Sequence, residues 1–168
     1  MPGPKRQSTA MFKPHSPPHS TRGELSAWLE IGPSRIDGRG FFARRDFPAD
    51  GVIVHSCGRV IDVVLTPLTP EQSRISFQIA PALHFLPEIL SESPINGLAN
   101  INHSCDPNTF VTFDSGSRRL ILRAIKSIKP GDELTCDYDV TEATIAHPFS
   151  CCCASNKCRR FISGYANS

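Results

Sequence analysis

Four of the seven cysteines in this 168-residue chain fall within the eight positions from Cys151 to Cys158. Cys151, Cys153 and Cys158 form a CxCx4C pattern, and closely spaced thiolates are typical ligands of zinc. A tetrahedral structural zinc takes four ligands, so one position is left open. Cys105 is the natural fourth ligand, because it lies in another segment dense in reactive residue types and would join the C-terminal segment to the body. Redox-active cysteines are the competing interpretation, although a run of three cysteines suits a CxxC redox site poorly.

A second cluster of polar side chains occupies residues 102–108, which have the sequence NHSCDPN. It places Asn102, His103 and Cys105 close together after a mixed apolar run. One hypothesis is a ligand-binding segment. The competing interpretation is an Asx-rich turn with a structurally satisfied histidine, and the residues by themselves leave both open.

Two glycine-containing segments complete the set of candidate motifs. Residues 36–42, IDGRGFF, bracket an arginine with two glycines, which either allow a backbone to approach a ligand closely or simply form a tight turn. Residues 131–138, GDELTCDY, follow Pro130 and predict a turn that leads into a short strand ending on Tyr138. A tyrosine at a strand end packs and hydrogen-bonds more often than it takes part in catalysis.

The elements that must position these motifs are predicted to be short β strands. Apolar and β-branched runs between Gly and Pro predict strands over 28–31, 52–55, 60–65, 76–79 and 83–86. The runs 110–113 and 120–124 flank the turn sequence DSGS and predict a hairpin. Helix is expected only in short pieces, one after Thr69 with Pro70 in its first turn and one near Pro87 to Leu90.

Composition indicates one soluble globular domain. The chain is 39% hydrophobic and 20% charged, with 15 prolines and 11 glycines, which favours many turns and little helix. No apolar run approaches the roughly 20 residues of a membrane span, so no membrane association is expected.

The N-terminal stretch differs in composition from the remainder. Up to Arg22 it contains four basic residues, five prolines and no acidic residue, so residues 1–24 are predicted to be a disordered tail. The rest of the chain has 18 − 4 = 14 basic residues against 16 acidic ones, a net charge of −2. A solubilising extension is favoured over nucleic-acid, chromatin or targeting contact, and direct nucleic-acid binding is not expected beyond this tail. Because the stretch lacks the apolar centre of a secretory signal, the cysteines are expected to be reduced or metal-bound.

Taken in order, the four motifs resemble those of the SET-domain protein-lysine methyltransferases: GxG, then NHSCxPN, then GxELTxDY, then a cysteine-rich post-SET tail. The resemblance covers roughly residues 25–165 and is closest to small, compact members. It implies a mainly β SET fold, with several small sheets around a pseudoknot-like core. It also implies a SET domain over 25–140 and a post-SET zinc-binding segment over 141–168.

The resemblance further implies S-adenosylmethionine as cofactor, one structural zinc, and transfer of a methyl group to a protein lysine by in-line displacement. Tyr138 would be the catalytic residue. The cofactor-binding residues would be Arg39, Gly40, Phe41, Asn102, His103 and Tyr138. The zinc ligands would be Cys105, Cys151, Cys153 and Cys158, with Cys152 left unliganded. Phe161 and Tyr165 would cover the cofactor or lysine channel.

Some positions depart from the family pattern. Cys136 stands where Phe or Tyr commonly tunes the number of methyl groups added. Tyr138 and Tyr165 are the only tyrosines, so Phe77 or Phe85 would replace a second channel tyrosine. Arg160 replaces a usual glycine.

Cys136 and the scarcity of tyrosines favour one alternative, a catalytically weak SET module that binds a peptide or partner. The short insert between Val60 and Asn100 favours a second, an enzyme acting on a small molecule. A β-rich zinc protein without cofactor is the third alternative. By family association, the expected partner is a lysine-containing protein or peptide such as a histone tail, bound by a monomer in the nucleus or cytoplasm.

Overall fold

The computed structural model describes residues 27–88, 98–145 and 147–167. The tail expected over 1–24 lies outside these residues, as do Ile89 and Leu90 of the predicted second helix, while Pro87 ends a strand. The strands are β1 Leu29–Pro33, β2 Arg39–Ala43, β3 Val52–Ser56, β4 Gly58–Asp62, β5 Phe77–Ala80, β6 Leu83–Pro87, β7 Asn102–His103, β8 Thr109–Asp114, β9 Arg119–Ala124, β10 Glu133–Cys136, β11 Phe149–Ser150 and β12 Phe161–Ile162. Short helices span Pro70–Ser73 (α1) and Tyr138–Thr141 (α2), and a 3-10 helix spans Tyr165–Asn167.

The strands of the described residues form several small sheets, which confirms the predicted mainly β architecture. Their orders are β1-β2-β10-β7, β3-β9-β8, β4-β6-β5 and β11-β12. None of the sheets has more than four strands within this part of the chain. Sheets this small bury enough apolar surface only by packing against one another.

Strand β10 brings three of the sequence motifs together. It pairs antiparallel with β2 through Leu134 and Phe41, and parallel with β7 through Cys136 and His103. The GRGF, NHSC and ELTCDY segments are therefore neighbours across one sheet, although more than 90 residues separate the first from the last.

The predicted hairpin is present as β8 and β9, paired from Thr109 with Ala124 to Asp114 with Arg119. The Asp114 carboxylate closes the turn, because Oδ1 accepts the Gly116 N–H at 3.0 Å and Oδ2 accepts the Ser117 hydroxyl at 2.7 Å. The hairpin and β3 form one sheet.

Helix α1 begins as predicted. Thr69 caps it by accepting the Gln72 N–H at 3.2 Å, while the Gln72 side chain accepts the Thr69 N–H at 2.9 Å, and Pro70 occupies the first turn.

The strand predicted over 60–65 is too long. The strand β4 ends at Asp62, whose Oδ1 accepts the N–H groups of Val64 and Leu65 at 3.0 and 3.3 Å. This side-chain turn replaces strand pairing, and Val64 and Leu65 are left 75% and 80% exposed. Apolar residue type alone predicted the strand, and the local hydrogen bonds of Asp62 overrode it.

The buried core lies under the sheet that carries the motifs. Phe41 from β2, Leu134 from β10 and Ile101 before β7 are at most 2% exposed and belong to one apolar cluster. Burying such a side chain contributes about 1.5–3 kcal/mol. The strands that present the polar motifs therefore rest on a tightly packed base.

Candidate active site and metal centre

A cavity of about 530 Å³ opens between β7, α2 and the cysteine-rich segment. Its wall includes Asn102, His103 and Tyr138, together with Asp37 beside the GRG segment and Phe149 before the cysteines. This volume lies in the range of small-molecule sites, roughly 300–1,000 Å³. All four sequence motifs reach the cavity or its edge.

Asn102 joins the GRG segment to the cavity wall. Its Nδ2 donates to the carbonyls of Asp37 and Arg39 at 3.1 and 3.2 Å and to Glu133 Oε1 at 2.8 Å. Ser34 donates its hydroxyl to the same Glu133 carboxylate at 2.8 Å. The amide of Asn102 thus fixes the backbone that leads into β2.

The other predicted residues of the GRG segment lie behind or beside the cavity. Arg39 is exposed and its Nη2 donates to the Ile31 carbonyl at 3.1 Å. Phe41 is 1% exposed and packs in the core. At Gly40 a Cβ would meet the Glu133 carboxylate, so a larger residue would displace this side chain from its hydrogen bonds to Ser34 and Asn102.

Tyr138 starts helix α2 and does not end a strand as the sequence predicted. Strand β10 ends at Cys136, and Asp137 caps the helix by accepting the Asp139 N–H at 3.0 Å. The Tyr138 hydroxyl donates to the Ile101 carbonyl at 2.5 Å. Burial, with smaller contributions from Cys136, Asp37 and Glu142, raises the pKa of Tyr138, so its hydroxyl keeps the proton.

His103 lies between Tyr138 and the cysteine cluster. Its Nδ1 accepts the Tyr138 N–H at 3.2 Å, and its Nε2 lies 3.3 Å from Cys105 Sγ. Burial lowers the pKa of His103, partly opposed by Asp137, and favours the neutral ring. Since Nδ1 is an acceptor, the hydrogen-bond pattern places the proton on Nε2, which donates to sulfur.

Three aromatic rings meet at this side of the cavity. The centroids of His103 and Tyr138 are 5.3 Å apart, and Phe149 lies 5.8 Å from the first and 6.1 Å from the second, all edge-to-face. Phe149 was not among the residues predicted for the site, and its place two positions before the first cysteine of the run was the available signal.

The other aromatic residues predicted for the channel differ in whether they reach the cavity. Phe77 lines the cavity, whereas Phe85 is 0% exposed and packs in the core. Of the two residues, only Phe77 is therefore placed to replace a second channel tyrosine. Phe161 and Tyr165 are 58% and 54% exposed and do not line this cavity. Tyr165 borders a second hollow of about 420 Å³ that also contacts Phe77.

The four grouped cysteines meet at one point. The sulfur atoms of Cys105, Cys151, Cys153 and Cys158 all lie within 4.8 Å of one another. Cys105 and Cys151 are 3.8 Å apart, which matches the edge of about 3.8 Å in a tetrahedron with metal–sulfur bonds of about 2.3 Å. Such a closed set of thiolates suits a structural zinc ion. Cys152 is exposed and outside the group.

Arg159 follows the last cysteine and was missed by the sequence analysis. Its guanidinium donates to both oxygens of Asp137, at 2.8 and 2.5 Å, and its Nε lies 3.1 Å from Asp139 Oδ2. The hydrogen bonds to Asp137 raise the pKa of Arg159. The pair of carboxylates around Tyr138 in the sequence DYD was the signal for a cationic partner.

Glu142 was also missed. It lines the cavity one helical turn after Tyr138, and its Oε1 accepts the Gln78 N–H at 3.0 Å. Gln78 Oε1 in turn accepts the Ala143 N–H at 2.7 Å. Burial raises the pKa of Glu142, partly opposed by the Gln78 hydrogen bond.

The family model described as SET domain matches residues 38–139, more than half of the chain. The chain belongs to the SET domain family. Both the fold and the order of the motifs agree with that assignment. In this SET domain, β7, α2 and the segment around β11 line the cavity, and β10 pairs with both β7 and β2 beside it.

Relatives with described functions are similar over most of the chain. The human histone-lysine N-methyltransferase 2B is 30% identical over 139 residues, which are 77% of this chain and 5% of that protein. Methyltransferase flvH of Aspergillus flavus is 29% identical over 117 residues, 69% of this chain and 61% of that protein. This SET domain therefore spans a small fraction of the first relative and somewhat under two thirds of the second.

Solved structures share the fold. KRYPTONITE in complex with mCHH DNA, H3(1-15) peptide and SAH matches with a TM-score of 0.57 and 25% identity, over 79% of this chain and 29% of that chain. A second KRYPTONITE complex, with mCHG DNA and SAH, gives a TM-score of 0.59 at 24% identity over 79% of this chain and 28% of that chain. No helix in the described residues is long and apolar enough to cross a membrane.

Proposed function

We propose that this SET domain transfers a methyl group from S-adenosylmethionine to the ε-amine of a protein lysine. The observation that carries the proposal is the Tyr138 hydroxyl, which is held by the Ile101 carbonyl at the wall of the cavity of about 530 Å³. A fixed neutral hydroxyl is suited to orienting an uncharged amine. The relatives named as histone-lysine methyltransferases support the same reaction.

The cavity residues fit the proposed cofactor. The side-chain oxygen of Asn102 and the backbone at Ile36 and Asp37 offer polar groups for the amino-acid and ribose portions, while Phe149 offers an aromatic face to a purine. When bound, the cofactor supplies a methyl group on a cationic sulfonium. The GRG segment would bind the cofactor through its backbone. The Arg39 side chain is exposed, Gly40 has no side chain, and the Phe41 side chain is buried in the core.

His103 would bind the cofactor through its backbone atoms. Both of its ring nitrogens already hydrogen-bond to protein, at the Tyr138 N–H and at Cys105. The ring would therefore align Tyr138 and close the cavity wall on the side of the cysteines.

The lysine must enter as a neutral amine, although its pKa is ordinarily about 10.4. Burial in the cavity and a nearby sulfonium charge both lower that pKa. The Tyr138 hydroxyl oxygen would accept an N–H of the amine and so direct the amine lone pair toward the methyl group, since the hydroxyl proton is already donated to the Ile101 carbonyl. Positioning and preorganised dipoles would supply most of the rate enhancement.

Glu142 supports a cationic substrate. Its Oε1 accepts the Gln78 N–H, and the residue lines the cavity. A carboxylate at the cavity wall would attract a lysine ammonium before deprotonation and disfavour an anionic substrate.

Cys105, Cys151, Cys153 and Cys158 would hold one structural zinc, which leaves no ligand position for catalysis. In the corresponding division of the chain, residues 25–140 are the catalytic SET domain and 141–168 the post-SET segment.

Histone is the first candidate substrate, because one fold neighbour contains an H3 peptide and several relatives are named for histone lysine. A nuclear location would follow from such a substrate, and a monomer remains the predicted state. A small molecule is the second candidate, since Methyltransferase flvH, the relative most completely covered among those cited, is named without reference to histone.

The experiment is transfer from radiolabelled S-adenosylmethionine to core histones, total cell protein and a small-molecule extract in parallel. We expect label on protein lysine with wild-type protein and strongly reduced label with Tyr138→Phe. Label confined to the small-molecule fraction would support the second candidate. Absence of both label and calorimetric cofactor binding by zinc-loaded protein would contradict the proposal.

A further inference from the structure

We propose that Arg159 is a positioning residue that couples the thiolate cluster to Tyr138. The inference concerns where Tyr138 is held, and its kinetic consequence rests on the proposed function. Arg159 contacts both carboxylates that flank Tyr138 in sequence, and its backbone contacts a cysteine of the cluster.

The two carboxylates are buried on either side of the tyrosine. Asp137 and Asp139 are 8% and 7% exposed, and each also accepts a backbone N–H. Asp137 accepts from Asp139 at the start of α2, and Asp139 accepts from Gly164 at 2.8 Å. These bonds fix the helix start and fasten the segment after β12 to it.

Two buried carboxylates this close together repel one another unless a cation lies between them. The guanidinium of Arg159 supplies that cation with matched geometry, since two nitrogens face Asp137 and the third faces Asp139. A planar fork of donors can satisfy both acids at once, which the single ammonium of lysine cannot. Arginine is therefore required for its shape as well as for its charge.

The same residue is joined to the metal centre. The Arg159 N–H donates to Cys105 Sγ at 3.3 Å, and Arg159 directly follows the ligand Cys158. A metal that fixes Cys158 also fixes the point from which the Arg159 side chain extends. His103 gives a second, parallel connection from Cys105 to the Tyr138 N–H.

It follows that metal occupancy sets the position of Tyr138 through Arg159. Loss of zinc would release Cys158 and Arg159, leave the two carboxylates without a counter-charge, and loosen α2. A residue that only stabilised the fold would not link metal occupancy to the motion of this particular segment.

The test is hydrogen exchange by mass spectrometry on the peptide that contains Tyr138–Thr141, in full-length protein with measured zinc content. We expect Arg159→Gln to retain about one zinc per chain and to exchange at least about tenfold faster than wild type in this peptide, while the β8–β9 hairpin exchanges as in wild type. Arg160→Gln is the matched control, because it removes the same charge from the neighbouring exposed position. It should behave as wild type.

Two further variants separate positioning from general destabilisation. Arg159→Lys keeps the charge without the fork and should give intermediate exchange. Arg159→Gln combined with Asp139→Asn removes one of the two opposed carboxylates and should recover part of the wild-type protection. Wild-type exchange in Arg159→Gln, equal effects of Arg160→Gln, or loss of zinc from Arg159→Gln would overturn the proposal.

Kinetics provide an independent readout. Arg159→Gln should lower kcat by at least about tenfold and change the Kd for S-adenosylmethionine by less than about threefold, because misplacing a catalytic group affects turnover more than ground-state binding. If wild-type protein transfers no methyl group, the proposed function fails, whereas the exchange experiment still tests the role of Arg159. An unchanged kcat in an active background would contradict the coupling.

Discussion

The thiolate cluster and the cavity are adjacent but are built in opposite ways. Three of the four cysteines lie within eight positions, and their sulfurs converge without any long-range strand pairing between them. The cavity wall needs β2, β7 and β10 to pair across the chain before Asn102 and Tyr138 can meet. Local spacing thus specifies three of the four ligands of the metal centre, whereas the cavity depends on the topology of the whole domain.

The thiolate cluster and the cavity also share a segment of the chain. Cys105 belongs to the segment that forms the cavity wall, while the other three ligands belong to the C-terminal segment. His103 and Arg159 connect the two regions on either side of this cysteine. Damage to the cluster should therefore reach the cavity more readily than damage to the cavity reaches the cluster.

The largest effect is expected from Cys158→Ser. Removing one of four thiolates should abolish zinc binding, and structural zinc contributes on the order of 10 kcal/mol to folding. We expect loss of the bound zinc by atomic emission and loss of a cooperative thermal transition. Cys152→Ser is the matched control, because Cys152 is exposed and outside the cluster, and it should retain about one zinc. A folded, active Cys158→Ser protein would show that the cavity is independent of the cluster.

Tyr138→Phe should have the next largest effect, confined to the cavity. It removes the hydroxyl that bonds to Ile101 while keeping the ring next to His103 and Phe149. We expect methyl transfer to fall by at least roughly tenfold with zinc content unchanged. Unchanged turnover would mean that Tyr138 packs rather than orients the amine.

Sequence could predict the short strands, the β8–β9 hairpin, the helix after Thr69 and the group of four cysteines, because each depends on neighbouring residues or on a metal's known ligands. It placed Tyr138 at a strand end, since the capping of α2 by Asp137 competes with strand extension and is visible only in the backbone. Arg159 and Glu142 were not predicted as site residues for a related reason. Their partners Asp139 and Gln78 lie 20 and 64 positions away, and only the assembled fold shows which charges are buried together.

Glu142→Gln tests how the charge of the Glu142 carboxyl at the cavity wall affects the stability of the domain. Burial raises the pKa of the Glu142 carboxyl, so its contribution to stability is present below the unfolded pKa and is lost as pH rises through the folded value. At neutral pH the charged form opposes folding. Glutamine can still accept the Gln78 N–H, so we expect Tm at pH 7 to rise by about 1–3 °C and this gain to shrink toward pH 4.

The same variant should weaken the binding of a cationic substrate. We expect KM for a lysine peptide to rise about two- to fivefold, the effect of one partly solvated charge pair. Gln78→Ala keeps the backbone N–H that Glu142 accepts but removes the side-chain bond to the Ala143 N–H, so it is the comparison for general damage to this segment. A lower Tm in Glu142→Gln, together with an unchanged KM, would assign Glu142 to structure alone.

The smallest effect is expected from Asp114→Ala, which is remote from both regions. Asp114 closes the β8–β9 turn with bonds to Gly116 and Ser117, and it is exposed. The hydrogen bonds that Ser117 and Gly116 donate lower the pKa of its carboxyl, so Asp114→Ala should lower Tm slightly at pH 7 and by less at pH values below the unfolded pKa. Zinc content and methyl transfer should not change. If either changed as much as in Tyr138→Phe, the cavity would depend on every sheet of the domain equally, and the distinction between a locally specified metal centre and a topology-dependent cavity would be lost.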